Sequence, residues 1–301
     1  MHKPELLAPS GNTKTLKAAI QAGADAVYLG AGKFSARANA TNFDGNELTA
    51  AIQYANSAHV KVYLAINTLM TDRELADALN IVSQAYHAGA AAFIVQDLGL
   101  ARLIKQNHPN AVLHASTQTT AQTLEDINIL GSLGFKRVVL ARELSRNQIK
   151  EIATNTTVEL EVFVHGALCS SYSGQCLMSS FIGGRSANRG KCAQPCRLPY
   201  KSAKKSGVLL SLKDLCLIDY ISELADMGVA SLKIEGRMKG EDYVRAVVGA
   251  YRSVLDGKAL SEKQKKAMLN VFDRGGYTDG YYTNNKANMY MDKLKNPYGG
   301  A

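Results

Sequence analysis

Four of this chain's five cysteines, Cys169, Cys176, Cys192 and Cys196, fall within 28 residues, and the fifth is Cys216. They sit in "HGALCSSYSGQC" and "CAQPC", joined by the glycine- and arginine-rich stretch "GGRSANRGK". Thiolates at such density hold a metal: a tetrahedral zinc or an iron–sulfur cluster takes four of them. Structural zinc favours paired knuckles with two residues between ligands. Here the gaps are six, fifteen and three residues, which suits a [4Fe–4S] cluster better and leaves zinc as the alternative. Arg185, Arg189 and Arg197 stand in the same segment and can offset the charge of thiolate and sulfide. Cys216 opens "CLIDYISELADMG", which reads as an amphipathic helix, so it is a core residue or a ligand in reserve.

Other residues fit a polar site. His165 ends the apolar run "VELEVFVHG" and is placed to act as general base or ligand. Glu235 and Arg237, in "SLKIEGR", complete the candidate catalytic set. Arg37, Asn67, Gln118, Arg142 and Arg185 are candidate substrate-binding residues, because an arginine fork can grip a small carboxylate through two hydrogen bonds. G-x-S-x-G, H-E-x-x-H and the phosphate-binding P-loop are all missing, and "LGAGKFSARAN" falls short of a dinucleotide fingerprint.

These residues share one predicted address. Strands are expected at Glu5–Pro9, Asp25–Gly30, Lys61–Asn67, Ala91–Asp97, Ala111–Thr117, Lys136–Arg142, Val158–Gly166 and Ala230–Gly236. Helical periodicity fills the gaps, and "AGADAVYLG", "AGAAAFIVQD", "LGFKRVVLAR" and "MGVASLKIEG" repeat one pattern, a helix end feeding a strand. Eight such units predict an α/β fold, a (β/α)8 barrel over residues 1–255; an open doubly wound sheet is the alternative that the count disfavours. Barrel chemistry gathers at the C-terminal strand ends, where the polar candidates fall. The seventh unit is abnormal, with a connection of about 166–214 carrying the cysteines, and loops of that size are usually functional. Residues 256–301 are expected to add a helix at Ser261–Phe272 and a tail packed on the barrel.

Among 301 residues, 46% are hydrophobic and 20% charged, with a net charge of +9. The positive excess suits polyanionic partners or small anions. No secretory leader or membrane span is expected, which points to the cytoplasm, where thiols stay reduced.

The combination of "ELLAPSGN", "AGADAVYLG", "HGALCSSYSGQC", "GGRSANRGKCAQPCR" and "SLKIEGRMKGEDYV" resembles the collagenase-like peptidase family U thirty-two, over Glu5 to Tyr282. The resemblance implies either peptide hydrolysis or oxygen-independent hydroxylation of a tRNA wobble uridine, a ribosomal cytidine or a quinone precursor. It implies a cluster on Cys169, Cys176, Cys192 and Cys196, with the fourth ligand variable, and prephenate as co-substrate of the RNA-directed members. It also implies a shorter paralogue working beside a longer one. Three readings follow: an iron–sulfur protein of tRNA hydroxylation, a peptidase, or a non-catalytic RNA-binding scaffold with zinc.

Overall fold

Short apolar runs, here three to eight residues long and buried on both faces, are what a parallel sheet covered by helices requires. In the computed structural model, which describes residues 3–37, 42–272 and 274–291, eight such runs form β1 (Glu5–Pro9), β2 (Ala26–Gly30), β3 (Lys61–Ile66), β4 (Ala92–Val95), β5 (Leu113–Ala115), β6 (Phe135–Val139), β7 (Glu159–Gly166) and β8 (Ser231–Ile234). Each pairs in parallel with the next in order around the ring. β8 closes it by pairing with both β1, through Leu6 and Leu232, and β7, through Val162 and Leu232. The fold is the (β/α)8 barrel that the eight units predict.

Helices cover the outside, several started by reciprocal caps such as Thr71 with Glu74, Thr123 with Asp126 and Ser145 with Gln148. These boxes satisfy the first backbone N–H groups of each helix and set the rim of the barrel. The helix Glu262–Val271 packs on the helix Glu241–Leu255, where Gln264 Nε2 donates to Ser253 Oγ at 2.9 Å. Among the described residues no helix is long and apolar enough to cross a membrane.

The connection after β7 carries structure of its own. It holds a short helix at Met178–Gly183, 3-10 turns at Ala187–Arg189 and Pro195–Arg197, and a hairpin of Tyr200–Lys201 with Ser206–Gly207. It ends in the strand Asp214–Cys216, antiparallel to β7, with Cys216 opposite His165. Cys216 therefore does not open a helix, as its apolar periodicity suggested; that helix begins at Ile221. The reason is β7, which at eight residues is the longest strand. Its last residues would expose unpaired backbone groups, and Asp214–Cys216 takes them up. Tyr277–Thr278 adds beside this strand in turn.

Inside the barrel, alternation aims Leu7, Ala26, Tyr28, Tyr63, Ala65, Ala92 and Ile94 at one another. Several other inward positions are charged. Lys233 Nζ donates to Glu161 Oε1 at 2.8 Å, and Arg137 Nη1 donates to Glu5 Oε1 at 2.8 Å and lies 3.4 Å from Glu161 Oε2. Glu161 is fully buried. Burial pushes the Lys233 ammonium below its ordinary pKa, and the Glu161 carboxylate opposes that. Removing one partner strands the other charge. Glu161→Ala is expected to cost about 3–5 kcal/mol of unfolding free energy, measured by denaturant titration. The paired change E161L/K233M is expected to recover most of that loss; a double variant as unstable as the single would contradict the pairing.

Candidate functional site

Four side chains converge on the barrel mouth because their backbones leave neighbouring strand ends. Glu235 follows β8, Arg142 follows β6, Arg37 stands on the loop after β2, and Arg237 lies two residues past Glu235. Glu235 Oε1 lies 3.3 Å from Arg37 Nη2, and Oε2 lies 3.4 Å from Arg142 Nη2. Burial alone would raise the Glu235 carboxyl. Arg37, then Arg142, Arg237 and Lys233, overcome this and hold it at about 2. Arg142 stacks 4.2 Å from the Phe163 ring centre, and among the described residues its buried Nε has no hydrogen-bond partner. Arg237 is buried, which lowers it to about 10. A Cβ at Gly30 would overlap Arg237 Nη1, so only glycine lets this side chain cross the end of β2. Among the described residues, three guanidinium groups face one carboxylate, an excess of two positive charges inside the mouth.

Asn67 positions this cluster. It accepts from the Ala36 amide and donates to Ser116 Oγ, both at 3.0 Å, so it ties the loop bearing Arg37 to β3 and β5.

The cysteine connection is clamped over the same face from three sides. Glu143 accepts from both the amide and the hydroxyl of Ser173 at 2.9 Å. The backbone of Gly174, with φ +76°, lies so close to the Gln118 carbonyl that a Cβ would collide with it. Arg189 Nη1 donates to Glu74 Oε2 at 3.0 Å. Buried Arg197 donates to Ser211 Oγ and to the Leu168 carbonyl, each at 2.7 Å, tying the chain at Cys169 to the chain at Cys196. The thiol of Cys196 is raised, first by burial, while Arg197 opposes and the charges of Cys169 and Cys192 add. Those same two thiols act on Arg37.

A model of peptidase family U32 matches residues 11–292. The chain belongs to this family. It is 42% identical over 262 residues to the 23S rRNA 5-hydroxycytidine synthase of Escherichia coli, covering 85% of this chain and 40% of that protein. It is 37% identical over 309 residues to tRNA hydroxylation protein P of Helicobacter pylori, covering 93% and 72%. It is 34% identical over 306 residues to a collagenase of Porphyromonas gingivalis, covering 92% and 73%. The chain thus spans well under half the length of the first of these U32 relatives.

Within this U32 barrel the expected residues separate into groups. Glu235, Arg237, Arg37 and Arg142 are brought together. Asn67 and Gln118 lie at the rim, the first as a positioning residue and the second as the seat of the cysteine turn. Arg185 is exposed and donates through Nε to the Lys191 carbonyl at 3.1 Å. His165 is buried in a box of Tyr243, Tyr251 and Tyr277, with Nδ1 3.3 Å from Tyr251 Oη and Nε2 without a partner among the described residues. Burial lowers it to about 3, so it is neutral near pH 7 and apart from the arginine cluster.

All five cysteines are free and partly accessible. Among the described residues no three His, Cys, Asp or Glu side chains are grouped closely enough to hold one metal ion. Tetrahedral zinc would need sulfurs about 4 Å apart, whereas a four-iron cluster spreads its thiolates wider. Free thiols in one clamped loop, three of them in electrostatic reach of one another beside Arg37 and Arg197, fit such a cluster.

Sequence reasoning missed Lys233 and Glu161, although "ELEVFVHG" and "SLKIEG" put them on the inward face by alternation. It also missed Phe163 and Lys239, which lies over the Phe272 ring with burial lowering it to about 7.

The depressed Glu235 carboxyl gives a pH signature. Its folded-state value of about 2 lies below the ordinary 4.5, so its stabilisation is complete above 4.5 and is lost as pH falls towards 2. Glu235→Gln is expected to melt below wild type at pH 7, with the gap closing between pH 4.5 and 2. A gap independent of pH would contradict the clamp.

Proposed function

We propose that the chain is the catalytic barrel of an oxygen-independent RNA hydroxylase, acting on the tRNA wobble uridine. In this reading Cys169, Cys176, Cys192 and Cys196 hold a [4Fe–4S] cluster, and Arg37, Arg142 and Arg237 hold a small carboxylate co-substrate, prephenate by the family resemblance. The observation that carries the reading is the excess of arginine over carboxylate in a buried mouth, on the same barrel face as the loop of free thiols. The names of the U32 relatives that act on ribosomal and transfer RNA support the substrate class. When bound, such a cluster supplies one-electron redox chemistry.

The chain's own residues do the rest. Arg37 and Arg142 each give one edge to Glu235, and the remaining N–H groups can take an incoming carboxylate. Glu235 stays ionised near neutrality, so it orients the guanidinium groups and donates no proton. Lys239, held at about 7 by burial, can hold or release a proton at Nζ near neutral pH. The stacked position of Arg142 on Phe163 fixes its plane before substrate arrives, which lowers the cost of ordering it.

A relative is named as a collagenase, but peptide hydrolysis needs an activated nucleophile in a cleft. The Ser83–His108 hydrogen bond of 2.7 Å lies between two outer helices, away from the mouth.

The test is hydroxylated nucleoside in tRNA and ribosomal RNA, by mass spectrometry, in cells lacking the protein and re-supplied with variants. Wild type is expected to restore a hydroxylated nucleoside, and Arg142→Ala and Cys192→Ala to restore less than about a tenth of it. No RNA change on deletion, or full restoration by both variants, would contradict the reading.

A further inference from the structure

Almost all the excess positive charge of the chain lies in one place. Residues 166–213 contain eight lysines and arginines and no Asp or Glu, a charge of +8 against +9 for the whole chain. Two of these are occupied: Arg189 pairs with Glu74, and Arg197 is buried among carbonyl groups. Arg185, Lys191, Lys201, Lys204 and Lys205 stand exposed, and among the described residues none is ion-paired.

The same segment presents its apolar side chains outward. Phe181 is 94% exposed, Leu177 67%, Tyr172 64% and Ile182 61%. Large apolar side chains grouped in the open mark an interaction site. This group belongs to the catalytic face. Arg185 folds back onto the short helix that bears Phe181, its amide donating to the Ser179 carbonyl at 3.3 Å. Ser179 Oγ accepts from the Ala193 amide at 2.9 Å, and the neighbouring Cys192 acts on Arg37 in the mouth.

We infer that this crown of the cysteine loop is a docking platform for single-stranded RNA. Phe181 and Tyr172 stack unpaired bases, and the unpaired lysines and Arg185 take the phosphates. Aromatic faces combined with free cations are how proteins hold unpaired nucleotides, since every base offers a face to stack on. A segment that contributes no carboxylate of its own is electrostatically complementary to that polyanion and repels a basic partner. The target base must leave its stack to enter a barrel mouth, and a ring on the adjoining rim is placed to receive the bases left behind. The inference rests on the RNA reading above and goes beyond it by naming the surface.

The experiment is fluorescence anisotropy with the full chain, purified without oxygen, against an unstructured RNA of about 12 nucleotides and a duplex of equal length. Phe181→Ala is expected to weaken single-strand binding roughly 5- to 150-fold, as loss of one stacked base would, with duplex binding little changed. Ile129→Ala, at another exposed apolar side chain far along the outer ring, serves as the control and is expected to change nothing. Replacing Lys201, Lys204 and Lys205 together by alanine is expected to flatten the salt dependence by about 0.7 for each phosphate no longer neutralised. Equal single-strand binding by wild type and F181A would overturn the platform while leaving the hydroxylase reading intact. Binding to phosphatidylglycerol vesicles through Phe181, with no RNA binding, would overturn it in favour of a membrane surface. An unchanged RNA nucleoside profile on deletion of the protein is the separate result that removes the hydroxylase reading itself.

Discussion

The mouth of this barrel is organised around one buried carboxylate. Glu235 sits where three guanidinium groups approach, and its ionisation is what lets Arg37 and Arg142 lie so near each other. A buried arginine cannot shed its charge, so without the carboxylate the cluster would repel itself open. The position of Glu235 is fixed in turn by the barrel: β8 closes the ring, and Tyr243 Oη donates to the Glu235 carbonyl at 2.9 Å. Two residues inward on β8, Lys233 meets Glu161 of β7, a second buried carboxylate that Arg137 also approaches. Tyr28 is approached by both Lys233 and Arg237, and Phe163 by both Lys233 and Arg142, so these rings link the inner charges to the mouth.

The cysteine connection depends on this frame and gives something back to it. Its anchors, Glu143 to Ser173, Arg189 to Glu74 and Arg197 to Leu168, reach three different parts of the barrel rim. A loop tied at several points loses its conformational entropy when the chain folds, and a site on it can then be preorganised. Arg37 is the shared member. It pairs with Glu235 at 3.3 Å and lies within electrostatic range of Cys192 and Cys169.

Much of this was legible in the sequence. Buried parallel strands read as apolar runs, and the glycine-ended helices before them repeat, so eight units and their order could be counted. Glu235, Arg237, Arg37 and Arg142 were found because barrel chemistry lies at strand ends. Their mutual approach was not, because which loops fold inward depends on tertiary constraints such as Asn67 bridging Ala36 and Ser116. His165 has the right residue type at the right strand end, yet the overrun of β7 buries it under Asp214–Cys216. Cys216 was misplaced for the same reason: apolar periodicity over a few residues cannot tell a strand that borrows a neighbour's edge from the first turn of a helix.

The proposed role of the sulfur in this loop is to hold iron. Iron and acid-labile sulfide per chain, measured on protein purified without oxygen and compared with C169A, C176A, C192A, C196A and C216A, test it most directly. About four of each are expected in wild type, with a large loss in the first four variants and little change in C216A. Zinc in place of iron, or retention of iron when Cys169, Cys192 and Cys196 are replaced, would contradict it.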